Sequence, residues 1–585
     1  MWDDKDDPRI FLYGLFTSIY YGWEIFAIFA PETTSYASMS QTSIIALAIL
    51  FTWWGMLWLC YQKYISTVYA VGPFLLYNAL SVAFRIPHTF EVMVWAMQTD
   101  ATMFLWLVYF SKTGTSVDAL CKTIQETFSW YYLASGVWKL NSHFWDPDAS
   151  CGTMFFVQLV AHYGPFLISN PTTLIQVAHW AKFIAPAASL LVEVSMGGAK
   201  IAGSLLGIRS LEKVGLVLAL LFHLMVCTLP FPNDITNFAL QCGARLIVVA
   251  SADGCQRAIE HTKRYSSIWA GLGVLVVALT YNETWSPNTW AFVLYVPICT
   301  FVIHAVLIST DADGTTFKTA NGGTTNGHSS SKPIKPRSWR NRFTTGASAV
   351  AFCYSFIGII LGLTEESTPN MFANLKVHGG SNHWFLPTGL LLHAFGEYPD
   401  SHPLGGGEVR IESTTSNWMK SVYPNDLSMV FAENQRAMLE EVGNPAPFYF
   451  NSGLARVLGI MPPQTQFYQY TVPALELKRL FREAKEKDGS FELTYAQLPG
   501  TKGDEVWRTK ATKRRFLVQV KDGIVEKCQV TIVQTGVTEM CALDDLPMLP
   551  DDNAWYLRRL SMYNAYPIVP RHDDVIPKSI TCFGP

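Results

Sequence analysis

"ASAVAFCYSFIGIILGL" (residues 347–363) is a run of seventeen residues without a single charge, about the length needed to cross the hydrocarbon core of a bilayer. It follows the Gly-, Ser- and Thr-rich stretch "TDADGTTFKTANGGTTNGHSSSKPIKPR" (310–337), whose composition is that of a flexible linker. Everything after it is polar and mixed. Reading 347–363 as the last transmembrane helix divides the chain into a bundle (1–309), a flexible basic cytoplasmic linker (310–346), that helix, and a lumenal or exoplasmic α+β domain (364–585).

Composition supports the division. The chain of 585 residues is 50% hydrophobic and 14% aromatic but only 15% charged, too apolar for an ordinary soluble enzyme. Its net charge of -3 offers no basic surface for nucleic acid. Further apolar runs lie near 11–30, 43–60, 68–84, 91–110, 128–140, 154–168, 177–196, 213–231, 238–250, 268–281 and 289–309. Several are short, so the expected fold is a polytopic α-helical membrane bundle of about nine to eleven spans. Pro73, Pro186 and Pro297 fall inside runs and predict kinks that neighbouring helices cover.

Lys and Arg are retained on the cytoplasmic side of short loops. "GGAKIAGSLLGIRSLEK" (197–213), "QRAIEHTKRY" (256–265) and "KPIKPRSWRNR" (332–342) are therefore placed on that side, and "PFPNDITN" (230–237) and "NETWSPN" (282–288) on the other. The opening "MWDDKDDPRIF" has no basic n-region, so the first apolar run is expected to remain as a span.

In the last third, "PALELKRLFREAKEKDGS" (473–490) sets Leu477, Leu480, Phe481 and Ala484 on one helical stripe. "RRFLVQVKDGIVEKCQVTIVQTG" (514–536) alternates on both sides of Asp522-Gly523, a hairpin signal. Most of the 11 cysteines sit in apolar runs, as small hydrophobes; Cys528, Cys541 and Cys582 are free to pair in an oxidising compartment. "HPLGGGEVR" (402–410) has no phosphate-loop spacing and reads as a surface loop.

"SGVWKLNSHFWDP" (135–147) places Lys139 at the end of an apolar run. Two readings stand side by side. Apolar burial would keep the amine neutral and able to accept a proton, or the side chain ends a helix and reaches the interface. The composition of Asn141 to Pro147 predicts that the helix stops there. His223 in "LLFHLMVCTLPF" (220–231) lies inside a span, where it is a helix-to-helix hydrogen bonder or a substrate group. In "NMFANLKVHGGSNHWFLP" (370–387), Asn374, His378, Asn382 and His383 flank a Gly-Gly turn, either lining a pocket mouth or satisfying backbone groups. Two histidines are too few for a metal site.

These three stretches together resemble the vitamin K-dependent gamma-carboxylase family and the wider HTTM membrane domain, over most of residues 1–390. The resemblance implies an endoplasmic reticulum or other endomembrane enzyme of the carbon-carbon lyase class. Its substrate would be reduced vitamin K or a related quinol, deprotonated by Lys139, with oxygen and carbon dioxide as co-substrates and a peptide glutamate carboxylated in a dry pocket. His223, Asn374, His378, Asn382 and His383 would be substrate-binding. One departure stands out: the family's Asn-His pair aligns with Thr99 and Asp100 in "MQTDATMFLW" (97–106). An ionised carboxylate cannot donate a hydrogen bond, so Asp100 either takes part in catalysis or pairs with Lys139 and holds it charged. The alternative function is a non-enzymatic HTTM membrane protein that binds a lipid, a quinone or a partner protein.

Overall fold

The computed structural model describes residues 7–29, 43–86, 91–111, 116–142, 144–145, 171–206, 208–228, 236–279, 287–308, 339–364, 368–370, 383–390, 408–422, 469–497, 514–541, 566–569 and 579–580, with a few single positions besides. Twelve helices among them make up the apolar part: α1 (Pro8–Phe29), α2 (Ser43–Tyr61), α3 (Thr67–Arg85), α4 (Glu91–Leu105), α5 (Val117–Trp138), α6 (Pro171–Leu206), α7 (Arg209–Cys227), α8 (Thr236–Arg245), α9 (Ala252–Arg264), α10 (Ser266–Leu279), α11 (Pro287–Leu307) and α12 (Trp339–Phe352). One turn of π-helix extends α4 to Phe110, and another carries α12 on to Gly358–Leu361.

Five segments among the described residues are long and apolar enough to cross a membrane: Thr67–Arg85, Phe183–Gly203, Ser210–Cys227, Trp290–Leu307 and Phe343–Leu361. A sixth counts if the pair Phe238–Val249 and Ala252–Arg264, bent by 114°, is taken as one. That number is below the nine to eleven expected, because several runs fold into short helices such as Ile45–Tyr61 and Ser266–Ala278. The run at 154–168 lies almost wholly outside the described residues. The last helix begins at Trp339, ahead of the expected 347, so part of the basic linker is helical. The helices with Pro73, Pro186 and Pro297 run on through them.

Close approach in lipid needs small residues, since apolar side chains gain little by leaving lipid for one another. A Cβ on Gly197 would lie 2.5 Å from the Leu133 nitrogen and 2.8 Å from the Ser129 oxygen, and one on Gly136 would lie 2.6 Å from Val194. These glycines therefore let α5 and α6 touch backbone to backbone. Gly215 does the same for α7, 2.9 Å from the Met196 oxygen.

Contacts between helix ends define one end of the bundle: Phe11 with Tyr61 at 6.3 Å, Thr123 with Thr344 at 3.0 Å, and His261 with His304 at 3.1 Å. The starts of α1, α5 and α12 meet the ends of α2, α9 and α11 there. Toward the opposite end, the Trp138 indole donates to the Ser355 oxygen at 2.9 Å.

The C-terminal part carries an antiparallel sheet of β1 (Glu408–Thr414), β2 (Gln469–Pro473), β3 (Phe491–Gln497), β4 (Arg514–Lys521), β5 (Ile524–Ile532), β6 (Thr538–Met540), β7 (Tyr566–Val569) and β8 (Ser579–Ile580), in the order β6-β5-β4-β3-β1-β2-β7-β8. Helix α13 (Asn417–Val422) and helix α14 (Ala474–Lys487) accompany it. Leu477, Leu480, Phe481 and Ala484 are all buried, as the stripe predicted. The β4–β5 hairpin turns at Asp522-Gly523, both at positive φ, with Lys521 opposite Ile524; paired positive φ values give the turn that matches strand twist. A disulfide joins Cys528 to Cys541, and Cys582 lies outside the described residues.

Candidate functional site

The last four carbonyls of a helix have no partner within it, and at membrane depth water is not there to supply one. At the end of α5 the chain supplies a partner for the carbonyls of Val137 and Trp138, the last two residues of the helix, and of Lys139 and Leu140 just past it. The Val137 oxygen accepts from Nε2 of His383 at 2.9 Å, that of Trp138 from the Asn141 amide at 2.7 Å, and that of Lys139 from the Trp145 indole at 3.0 Å. The Leu140 oxygen accepts from the Trp384 nitrogen at 3.0 Å. Asn141 also donates to the Ala373 oxygen at 2.6 Å and accepts from the Phe144 nitrogen at 2.9 Å. "WKLN" and "HW" are thus the two halves of one helix stop.

The tautomer of His383 follows from its partners. Nε2 faces a carbonyl and must carry the hydrogen, while Nδ1 accepts from the nitrogens of Phe385 at 3.1 Å and Leu386 at 2.8 Å. Burial pushes this imidazole below its ordinary value, and its bond to Val137 acts in the opposite direction. Both ring nitrogens are engaged by backbone, so His383 serves here as a cap.

Lys139, the C-cap of α5, is 3% exposed and Glu193 on α6 is 5% exposed. The ammonium donates to Glu193 Oε2 at 2.7 Å and to Ser135 Oγ at 3.3 Å; Ser135, one turn back on the same face, donates to the same Oε2 at 3.0 Å. Phe144 lies under the nitrogen, 5.6 Å from its ring centre. Lys139 is thus not a lone amine between apolar walls, as one reading of the sequence had it, but is paired with Glu193 and Ser135.

Asp100 does not pair with Lys139. Its carboxylate is gripped by Arg245, Nε to Oδ1 at 3.1 Å and Nη2 to Oδ2 at 2.7 Å, and Tyr13 donates to Oδ1 at 2.5 Å. Arg245 also donates to the Gln241 oxygen at 3.0 Å. This is a bidentate ion pair, so the carboxylate that stands at the Thr99-Asp100 departure is paired with Arg245. His223 meets the Tyr132 hydroxyl through Nε2 and packs against Phe238 at 4.8 Å. It joins α7 to α5 at Tyr132, which lies seven residues before Lys139 on α5. Asn374, His378 and Asn382 lie outside the described residues.

The structure thus brings Lys139 and His383 to one place, the stop of α5, and sets Asp100 in a separate pair. Glu193, Ser135, Arg245 and Tyr13 were missed. A signal for two of them existed: Glu193 is the one acidic residue in the run 177–196, and Arg245 the one charged residue in 238–250. Charges in such runs are expensive and take partners.

A family model described as a domain of unknown function (DUF8388) matches residues 381–558, from the segment bearing His383 through strand β6. No curated protein and no solved structure matches the chain. The matched stretch begins beyond the last apolar helix.

Proposed function

We propose that the chain is an integral membrane protein whose Lys139–Glu193 pair exchanges a proton with a lipid-soluble substrate. One observation carries the reading. The pair is dry and sits near the middle of the Phe183–Gly203 span, where a buried ion pair adds little stability over apolar packing and ionisable groups mark functional sites.

Lys139 and Glu193 form one hydrogen-bonded unit, whose acceptor oxygens are those of the Glu193 carboxylate. An acidic O–H of the substrate gives its proton to that unit. The carboxylase resemblance makes a reduced quinone of the vitamin K type the first substrate to try, with oxygen, carbon dioxide and a peptide glutamate as the further reactants. The same reading places the C-terminal domain in the lumen of the endoplasmic reticulum or another endomembrane, with shorter helices completing nine to eleven spans. The Cys528–Cys541 disulfide supports an oxidising compartment for that domain.

The contacts among Ser135, Lys139 and Glu193 favour a second reading, in which the bundle is a non-enzymatic HTTM scaffold that binds a lipid, a quinone or a partner protein. The test is incorporation of labelled bicarbonate into a glutamate peptide, with oxygen uptake, by the full chain in vesicles supplied with reduced vitamin K. The enzyme reading expects both signals in the native protein and their loss in Lys139→Ala and Glu193→Gln. Neither signal in the native protein removes carboxylation and leaves the scaffold.

A further inference from the structure

We infer that residues 383–390 form a membrane-inserted loop, whose Trp384 and Phe385 side chains enter the lipid leaflet at the Lys139 end of α5 and hold the start of the C-terminal part on the membrane. This rests on reading the apolar helices as membrane-embedded, and it adds a lipid contact made by a segment that is not a helix.

The loop is fixed at a definite level. Its sequence, "HWFLPTGL", has no Lys, Arg, Asp or Glu. The Trp384 nitrogen donates to the Leu140 oxygen just past α5 at 3.0 Å, and the Gly389 nitrogen to the Ile359 oxygen at 3.2 Å. Ile359 stands near the end of the segment Phe343–Leu361, of which only 22% is buried inside the protein. A helix that apolar and that little covered by protein has lipid as its surroundings. The loop therefore crosses where the lipid-facing part of this last helix ends.

Its backbone is prepared for a medium without water. A loop in water can leave its N–H groups to solvent, whereas irregular backbone at membrane depth must have them satisfied from within the protein. Here the Trp384 N–H goes to Leu140, and those of Phe385 and Leu386 both go to His383 Nδ1, at 3.1 and 2.8 Å. Pro387 has none to satisfy, and that of Gly389 goes to Ile359. Over this silenced backbone the side chains are apolar and uncovered: Trp384 is 50% exposed and Phe385 73%. Water would make the first feature unnecessary and the second unfavourable.

Neighbouring aromatics argue for lipid as the occupant. The Trp145 ring, whose N–H is given to the Lys139 oxygen, packs on that of Trp384 with centres 5.8 Å apart, so two indoles stand together just beyond the end of α5. Trp side chains gather where the bilayer meets water. Leu390, also exposed, extends the apolar edge. The family match begins at residue 381, so the loop is the first part of the matched stretch to meet the bilayer.

The test places a nitroxide label at Phe385→Cys in the full chain carrying Cys353→Ser, because Cys353 is the exposed member of the described free cysteines. The protein is reconstituted in phosphatidylcholine vesicles, and the signal of labelled Cys353→Ser alone is subtracted. Relaxation of the label by oxygen, which concentrates in lipid, is compared with that by a water-soluble nickel chelate. Val350→Cys on the last helix and Ile524→Cys at the β4–β5 hairpin, both exposed positions, give the lipid and water references. The oxygen-to-nickel ratio at 385 is expected to approach that at 350 and to exceed that at 524 several-fold. A ratio at 385 equal to that at 524, with 350 in lipid, overturns the inference and leaves the membrane reading standing. Weak relaxation by both reagents at 385 means that protein covers the loop, and overturns it as well. A water-like ratio at 350 overturns the membrane reading and this inference with it.

Discussion

Removing one partner of the Lys139–Glu193 pair should cost far more than removing both. Glu193→Leu takes the carboxylate away from a buried ammonium, and Lys139→Met takes the ammonium away from a buried carboxylate, with Ser135 remaining beside each. Each single change is expected to cost about 3–5 kcal/mol, the penalty for an uncompensated buried charge. The double variant replaces two polar side chains by apolar ones of similar length and should cost about 2 kcal/mol or less. The two single costs then exceed the double by several kcal/mol, a coupling measurable in a thermodynamic cycle. Ser135→Ala, which removes a 3.0 Å bond to Glu193 and a 3.3 Å bond from Lys139, should cost about 1–2 kcal/mol and lose most of that effect in the double background. The assay is reversible unfolding of the full chain in mixed micelles. Asp100→Asn serves as the control: it breaks the separate pair with Arg245 and should add to Lys139→Met within about 0.5 kcal/mol. Equal cost of Lys139→Met with and without Glu193, or strong coupling to Asp100, would refute the pairing.

Three further outcomes rest on particular residues. Because His383 is held below its ordinary value of 6.5 and its Nδ1 accepts two backbone hydrogens, its contribution is fully present above pH 6.5. It is lost as pH falls below 6.5 through the lower folded value, since the unfolded chain binds the proton first; the melting temperature of the native protein should fall across that window more steeply than that of His383→Asn. Gly197→Ala puts a Cβ against the Leu133 and Ser129 backbone, which cannot rotate away, so a loss of about 1–3 kcal/mol is expected, read in the same micellar unfolding. Cys541→Ser opens a bridge between cysteines 13 residues apart; about 3 kcal/mol of stability should go, and mass spectrometry with alkylation should find both thiols blocked in the native chain until reductant is added.

The C-terminal elements were legible because their causes are local. Asp522-Gly523 can adopt the positive φ values that its turn needs, and the Leu477, Leu480, Phe481, Ala484 stripe must face a core whatever that core is. The end of α5 was legible for the same reason: the Asn141 side chain competes for backbone groups that a helix would use. The groups that close that end were not, since His383 and Trp384 arrive from more than two hundred residues away. The shortfall in long spans has a physical source too. Periodicity marks apolar runs, but their helical lengths depend on bends such as the one at Ala250.

The sequence by itself shows that Asp100, Lys139, Glu193 and Arg245 are among the charges lying within apolar runs, where they need partners of opposite sign. These two acids and two bases alone can pair in two ways, and composition, spacing and hydropathy are identical for both. Only the tertiary structure chose Asp100 with Arg245 and Lys139 with Glu193. It did so because Gly136 and Gly197 let α5 and α6 pack backbone to backbone, bringing the carboxylate of α6 within reach of the lysine, while the bidentate fork of Arg245 took the carboxylate of α4. A sequence lists its charges, but which of them meet is decided by how closely the helices that carry them can approach.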